Sequence, residues 1–284
     1  MIANTTLSGN NVSFLVEGPD SGDTIVLVHG FPDSANSWHP LMLELASMGY
    51  RVLAPFLRGY FPSAIPEDGR YQAGQFAQDL VDFVEEQTTG QVTLVGHDIG
   101  ALAVYGAAAL IPEKVRAVLG LSVPPGLLPR QLLGFDQAKR SFYVWLFQLP
   151  IDDAVSAGDF SFIERLWGDW SMPSTDISAP LAYAKDALRP EGHLAAALGF
   201  YRALFVPDET LATQQAATEA SPACRFIYLH GREDGCMAPA VSDHVAERRV
   251  IEGANHFIHV DKPDIVRDAI RELMDGPAPT PDGG

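Results

Sequence analysis

The chain has 284 residues and a formal net charge of −17, with 47% hydrophobic and 19% charged residues. That length and apolar content bury a substantial core, either as one large α/β domain or as a core carrying an insertion. The acidic surplus argues against nucleic acid or an anionic membrane surface as partner, and makes a multiply anionic substrate a poor fit.

The first residues, Met1-Ile2-Ala3-Asn4, carry no signal-peptide pattern. Asn11 to Glu17 alternates and predicts an edge strand, stopped by Gly18-Pro19-Asp20. Thr24 to Val28 is a β-branched apolar run and predicts a buried strand, leading into His29-Gly30-Phe31-Pro32. A helix is expected from Trp38 to Met48, a strand from Tyr50 to Pro55, and a helix from Gln75 to Gln87 with Phe76, Leu80, Phe83 and Val84 on one face. Val92 to Val95 predicts another buried strand, and the small-residue run from Ala101 to Leu110 a tightly packed helix. Val115 to Leu119 is a further strand. The alternation of strand and helix predicts a mainly parallel, helix-covered sheet. After Pro125 it stops, and residues 126–206 read as an aromatic-rich helical insertion, or cap. The sheet resumes with strands at Arg225 to Leu229 and Arg248 to Ile251, and a helix closes at Met274. The expected division is therefore core 1–125, cap 126–206, core 207–275 and a disordered Pro/Gly-rich tail 276–284.

Between the Val92 strand and its helix lies Gly96-His97-Asp98-Ile99-Gly100. Strand, sharp turn and helix form the setting of a nucleophile elbow. An Asp before a helix is also an ordinary N-cap, so Gly-x-Asp-x-Gly alone is a weak signal. Two further residues strengthen it. Asp234 follows the Arg225 strand and His256 follows the Arg248 strand, giving the chain order nucleophile, acid, base of the α/β-hydrolase fold. Each lies after a predicted strand, where open α/β sheets hold their sites. A carboxylate nucleophile is already ionised. It attacks directly, and suits an electrophilic sp³ carbon bearing a leaving group. Backbone N–H groups of Phe31 and Ile99 are the expected oxyanion donors. His230, His244 and His259 read as structural or surface residues. Cys224 and Cys236 are too few for a disulfide framework or zinc site and read as ordinary buried thiols.

These residues resemble the α/β-hydrolase fold epoxide hydrolases and, more distantly, the haloalkane dehalogenases. The likeness runs from about Val12 to Met274 and rests on His29-Gly30-Phe31-Pro32, Arg58-Gly59-Tyr60, Gly96-His97-Asp98-Ile99-Gly100, Gly231-Arg232-Glu233-Asp234 and Asn255-His256-Phe257. It implies a mainly parallel eight-stranded sheet flanked by helices with an inserted helical cap. Within the cap, Phe142 to Pro150 and Phe200-Tyr201-Arg202 resemble the two segments that carry the ring-opening tyrosines, which fall on Tyr143 and Tyr201. Two phenols on one oxygen suit an epoxide, whose leaving oxygen needs donors. Ile99 stands where these families usually carry Trp, Phe56 where an Asp is usual, and Phe61 where a Gly is usual.

The implied activity is opening of an apolar epoxide to a vicinal diol through an ester at Asp98, hydrolysed by water that His256 activates. Trp145, Phe147 and Phe257 are expected to line the substrate site. No cofactor or metal is expected, and no partner beyond substrate and water, although a homodimer is compatible with the sequence. A cytoplasmic location is expected, because no apolar run reaches membrane-spanning length. A haloalkane or haloacid dehalogenase would share the triad. It would need halide donors or carboxylate-binding arginines, which Ile99-Gly100-Ala101-Leu102-Ala103 does not supply. A non-catalytic ligand-binding hydrolase fold is a third reading, which fold alone does not exclude.

Overall fold

A computed structural model describes residues 1–7, 9–126 and 133–276. Eight strands form one sheet in the order β1-β2-β4-β3-β5-β6-β7-β8. They are β1 (Ile2–Leu7), β2 (Asn10–Glu17), β3 (Thr24–Val28), β4 (Arg51–Pro55), β5 (Val92–His97), β6 (Val115–Leu121), β7 (Arg225–Gly231) and β8 (Arg248–Ile251). β2 runs antiparallel to both neighbours, and every pairing from β4 to β8 is parallel. The edge is β1. Asn10–Glu17, expected at the edge, is an interior strand. Ile2–Leu7 escapes a hydropathy reading because alternate residues face solvent and only Leu7 is fully covered.

The core divides across the sheet. On one face α2 (Ala73–Gln87) and α3 (Ile99–Leu110) pack together, with Phe76, Leu80, Phe83 and Val84 of α2 turned inward. On the other face lie α1 (His39–Ser47) and the closing helix Pro263–Asp275. β5 sits between β3 and β6 and is buried along its whole length. Its carboxyl end therefore meets the ends of β3, β6 and β7 at one rim of the parallel sheet, where such sheets bind ligands.

Between β6 and β7 the chain forms α4 (Phe135–Arg140), α5 (Phe142–Leu146), α6 (Asp152–Asp169), α7 (Ser178–Leu188) and α8 (His193–Ala203). α6 is broken at Ala157–Phe160, where Gly158, Asp159 and Phe160 take positive φ. Asp159 there pairs with Arg189 at 2.7 Å and Lys185 at 3.3 Å, which ties the break to α7. This helical layer is fastened to the sheet rim by Trp167. Its indole Nε1–H donates to the Pro32 carbonyl at 2.7 Å, and its ring stacks on Phe257 at 3.7 Å and 3°. A short helix α9 (Ala212–Thr218) returns to pack on α2 and α3 before β7. α10 (Ile258–Asp261) and α11 (Pro263–Asp275) end the described chain. Residues 127–132 of the expected cap and 277–284 of the expected tail lie outside the described residues. No helix among those described is long and apolar enough to cross a membrane.

Candidate active site

Asp98 leaves β5 and precedes α3 with φ 55° and ψ −118°, a conformation L residues rarely adopt. Such strain costs about 1–3 kcal/mol and persists only where the surroundings enforce it. Here the enforcement is close packing. A Cβ at Gly100 would fall 2.4 Å from the Val28 carbonyl oxygen, and one at Gly30 would fall 2.6 Å from Asp98 Oδ1. The loop after β3 is thereby pressed against the carboxylate, and Phe31 N–H donates to Asp98 Oδ1 at 2.9 Å. Ile99 opens α3, so its N–H belongs to the first turn, whose amides have no intrahelical acceptor.

The other carboxylate oxygen, Asp98 Oδ2, lies 3.5 Å from His256 Nε2. His256 Nδ1 bonds Asp234 Oδ2 at 3.0 Å. Asp234 is fixed in turn by its own loop, because Oδ1 accepts from the amides of Cys236 (2.8 Å) and Met237 (2.7 Å). The three residues taken from the sequence thus form one buried line. Burial alone would lower the His256 pKa, but Cys236, Asp234 and Asp98 outweigh it and hold the imidazole well above its usual value. Burial also pushes the Cys236 thiol up, which keeps it protonated, so the lasting support of the imidazolium is Asp234. Burial would raise the Asp234 carboxyl, but His256 lowers it more. A base must be unprotonated to take a proton from water. Turnover limited by that step should therefore rise with pH through an apparent pKa above the ordinary imidazole value of about 6.5. Asp234→Asn should shift this limb to lower pH while reducing the rate. A pH profile of kcat for both forms checks this, and a limb that does not move would assign it to another group.

Behind the imidazole is a layer that sequence reasoning did not find. The His256 carbonyl accepts from Ser122 Oγ at 2.6 Å and contacts His97 Nε2 at 3.1 Å. His97 is buried and its pKa is driven well below the usual value, chiefly by burial, so Nε2–H donates from a neutral ring. His259 is also buried. It pairs with Asp33 at 3.1 Å and stacks on Trp38 at 4.2 Å, in keeping with its structural reading. His230 bonds the Met237 carbonyl at 3.0 Å and Tyr228 Oη at 2.6 Å, and so braces the Asp234 loop.

The helical layer brings Tyr143 and Tyr201 together. Their ring centroids lie 5.4 Å apart, and both side chains are buried. Tyr201 packs edge-on against Phe31 at 5.1 Å, directly beside the amide that holds Asp98. The Tyr143 hydroxyl lies 3.2 Å from Cys236 Sγ. Burial, with the Asp98 charge contributing, raises both phenols well above their usual pKa, so they remain protonated donors. Phe147 is fully buried behind the pair, touching Phe31, Tyr143 and Tyr201. Phe257 is fully buried as well, between His256, His97 and Trp167.

Trp145 corrects the expectation that it lines the site. It is 43% exposed and stacks on Phe205 at 5.1 Å. The cause is helical phase: Tyr143 and Phe147 are four apart and share the inward face of α5, whereas Trp145 is two from each and points away. Trp170 is the Trp that lies beside the triad. Its ring meets Tyr143 at 5.0 Å and His256 at 5.4 Å, and its carbonyl accepts from His256 N–H at 3.0 Å. Cys236, which the sequence presents as an ordinary buried thiol, is fully buried beside Asp98 and His256. Its spacing from Asp234 was the available signal, since the two-amide turn on Asp234 folds that side chain back toward His256.

Residues 23–263 match the family model of the alpha/beta hydrolase fold. The chain is 30% identical to Epoxide hydrolase A of Mycobacterium tuberculosis over 95% of each chain. It is 27% identical to AB hydrolase superfamily protein YfhM of Bacillus subtilis over 94% of this chain and 95% of the relative. A crystal structure of an epoxide hydrolase from Vigna radiata superposes with a TM-score of 0.81 at 24% identity, over 96% of this chain and 97% of the other, and shares the fold. The protein belongs to the α/β-hydrolase fold family and, within it, to the epoxide hydrolases, which are hydrolases.

Proposed function

We propose that the enzyme opens an apolar epoxide to a vicinal diol through a covalent ester at Asp98. The observation that carries this reading is the pair of buried phenols, Tyr143 and Tyr201, with ring centroids 5.4 Å apart, raised chiefly by burial with the Asp98 charge adding to it, and with Tyr201 packed on Phe31 of the loop that holds the Asp98 carboxylate. Asp98 Oδ1 is engaged by the Phe31 amide, so Oδ2 is the attacking oxygen. It bonds to an epoxide carbon while that carbon's bond to the ring oxygen breaks. The ring oxygen leaves as an alkoxide, receives hydrogen bonds from the two phenols and takes a proton from one of them.

The resulting ester has Oδ1 as its carbonyl oxygen. His256 Nε2 removes a proton from water, which attacks the ester carbon. The Phe31 and Ile99 N–H groups stabilise the tetrahedral oxyanion, each donor of this type contributing about 2.7–4 kcal/mol elsewhere. Collapse releases the diol and restores the carboxylate, and the proton held by His256 replaces the one the tyrosine gave. Asp234 orients the imidazole throughout. Phe31, Phe147 and Phe257 surround the site with apolar rings, which favours hydrophobic epoxides.

The names of the relatives support an epoxide and water as the reactants. A panel of aryl and alkyl epoxides and haloalkanes, with diol and halide both measured, tests the assignment. Diol without halide is the expected result. Halide release with no diol would move the enzyme to dehalogenation.

A further inference from the structure

We propose that Cys236, His256 and Asp98 together form a binding site for a soft divalent cation, zinc foremost, and that the bound ion holds the enzyme inactive. One ligand atom from each residue lies within 4.8 Å of the other two, and all three residues are buried. The thiol does not stand alone. His256 Nε2 is fully buried, makes no hydrogen bond of ordinary length and faces Asp98 Oδ2 at 3.5 Å, so an ion would enter by displacing the proton the imidazole holds there. Tetrahedral zinc with its usual bonds to sulfur, nitrogen and oxygen spaces its ligand atoms about 3.3–3.6 Å apart. The imidazole–carboxylate gap already has that width.

The charge also closes. Coordination releases two protons to solvent, one from the Cys236 thiol and one from the His256 imidazolium, leaving one thiolate, one carboxylate and one neutral imidazole around a 2+ ion. The ion and its three ligands are then neutral together, which suits an enclosure by Tyr143, Trp170 and Tyr201, while the Asp234 carboxylate stays bonded to His256 Nδ1. Magnesium and calcium prefer six or more oxygens and gain little from a thiolate. The effect on catalysis rests on the roles proposed above for Asp98 and His256, because the ion would take both the nucleophile and the base's lone pair. The binding itself does not rest on them.

A second cluster, Asp33, His97 and His259, offers a rival cation position without sulfur. Its carboxylate is already engaged by His259, Ser34 N–H and Ser37 Oγ.

The test uses the full chain after treatment with a chelator. Cobalt(II), a zinc surrogate with a visible spectrum, is titrated by absorption, and zinc by calorimetry. Expected are one ion per chain, a sulfur-to-cobalt charge-transfer band, and loss of that band in Cys236→Ala and Cys236→Ser. Zinc affinity should fall by more than ~100-fold in both, since disturbing a partner outside the ligand shell alone costs 10–100-fold. Zinc should also stop diol formation, and chelation should restore it.

The proposal is overturned if no ion binds, if cobalt binds without a sulfur band, or if either variant binds zinc as tightly as the parent. The last two results would assign the ion to Asp33, His97 and His259. The wild-type band stands even if a variant folds poorly. A sulfur-bound ion in a protein that opens no epoxide would support the site and sink the proposed activity instead.

Discussion

Replacing both Tyr143 and Tyr201 by Phe should bring epoxide opening close to the uncatalysed rate, while each single change costs about 10²–10³-fold. The leaving oxygen of an epoxide carries developing charge in a site closed by aromatic rings. Few other donors approach it there, so removal of both phenols leaves the alkoxide bare. The effects should combine to less than the product of the singles, because the two groups share one oxygen. Folding should be nearly unaffected. Phe keeps the ring contacts among Tyr143, Tyr201, Phe147 and Phe31, and what is lost is the hydroxyl–thiol contact to Cys236 at 3.2 Å. A net hydrogen bond is worth about 0.5–1.5 kcal/mol, and a thiol partner lies at the weak end. The measurement is pre-steady-state alkylation alongside thermal unfolding of each variant. Unchanged alkylation in the double variant would show that the phenols are packing residues, and the epoxide assignment would fall. Hydrolysis of a haloalkane, if any occurs, should be indifferent to both changes, because a departing halide does not need these donors.

How much of this was legible in the sequence depends on distance along the chain. Strands β3 to β7 announce themselves because each is a short, mainly apolar run close to Gly or Pro, and buried strands carry no other pattern. β8 opens on Arg248-Arg249 and is legible only from Val250-Ile251 before Gly253. β1 does not announce itself, because its pairing comes from backbone bonds to β2 while half its side chains face water. Asp98, Asp234 and His256 were readable because chain order and strand ends locate a triad without coordinates. The outward turn of Trp145 follows from the helical phase of Tyr143 and Phe147 alone. The place of Trp170 does not, since nothing local distinguishes one cap aromatic from another until the cap closes on β8. The hold of Ser122 and His97 on the His256 carbonyl spans 134 and 159 residues, and no sequence spacing encodes such a contact. Cys236 lies between these cases. Its neighbour Asp234 was found, and the turn joining them follows from the two amides that a strand-end carboxylate accepts.

His256→Gln should let the enzyme react once and then stop, with the substrate attached. Gln preserves much of the ring's bulk and supplies no base, so alkylation proceeds while ester hydrolysis slows by about 10²–10⁴-fold. Intact mass after mixing with an aryl epoxide should equal the protein plus one epoxide, and peptide mapping should place the addition on Asp98. The oxygen bookkeeping gives an independent reading in the unaltered enzyme. Water attacks the ester carbon, so a single turnover in ¹⁸O-water should label the Asp98 carboxylate, while the diol takes its new oxygen from Oδ2. Later turnovers should then carry label into diol. The competing route has Asp98 or His256 activate water for direct attack on the epoxide. It predicts no adduct and labelled diol from the first turnover. The hydrogen bond from Phe31 N–H to Asp98 Oδ1 favours the ester route, because it fixes one carboxylate oxygen as the future carbonyl and leaves the other free to attack. An unmodified His256→Gln protein, with substrate shown to bind, would decide for direct attack and leave the phenols as the remaining evidence for an epoxide.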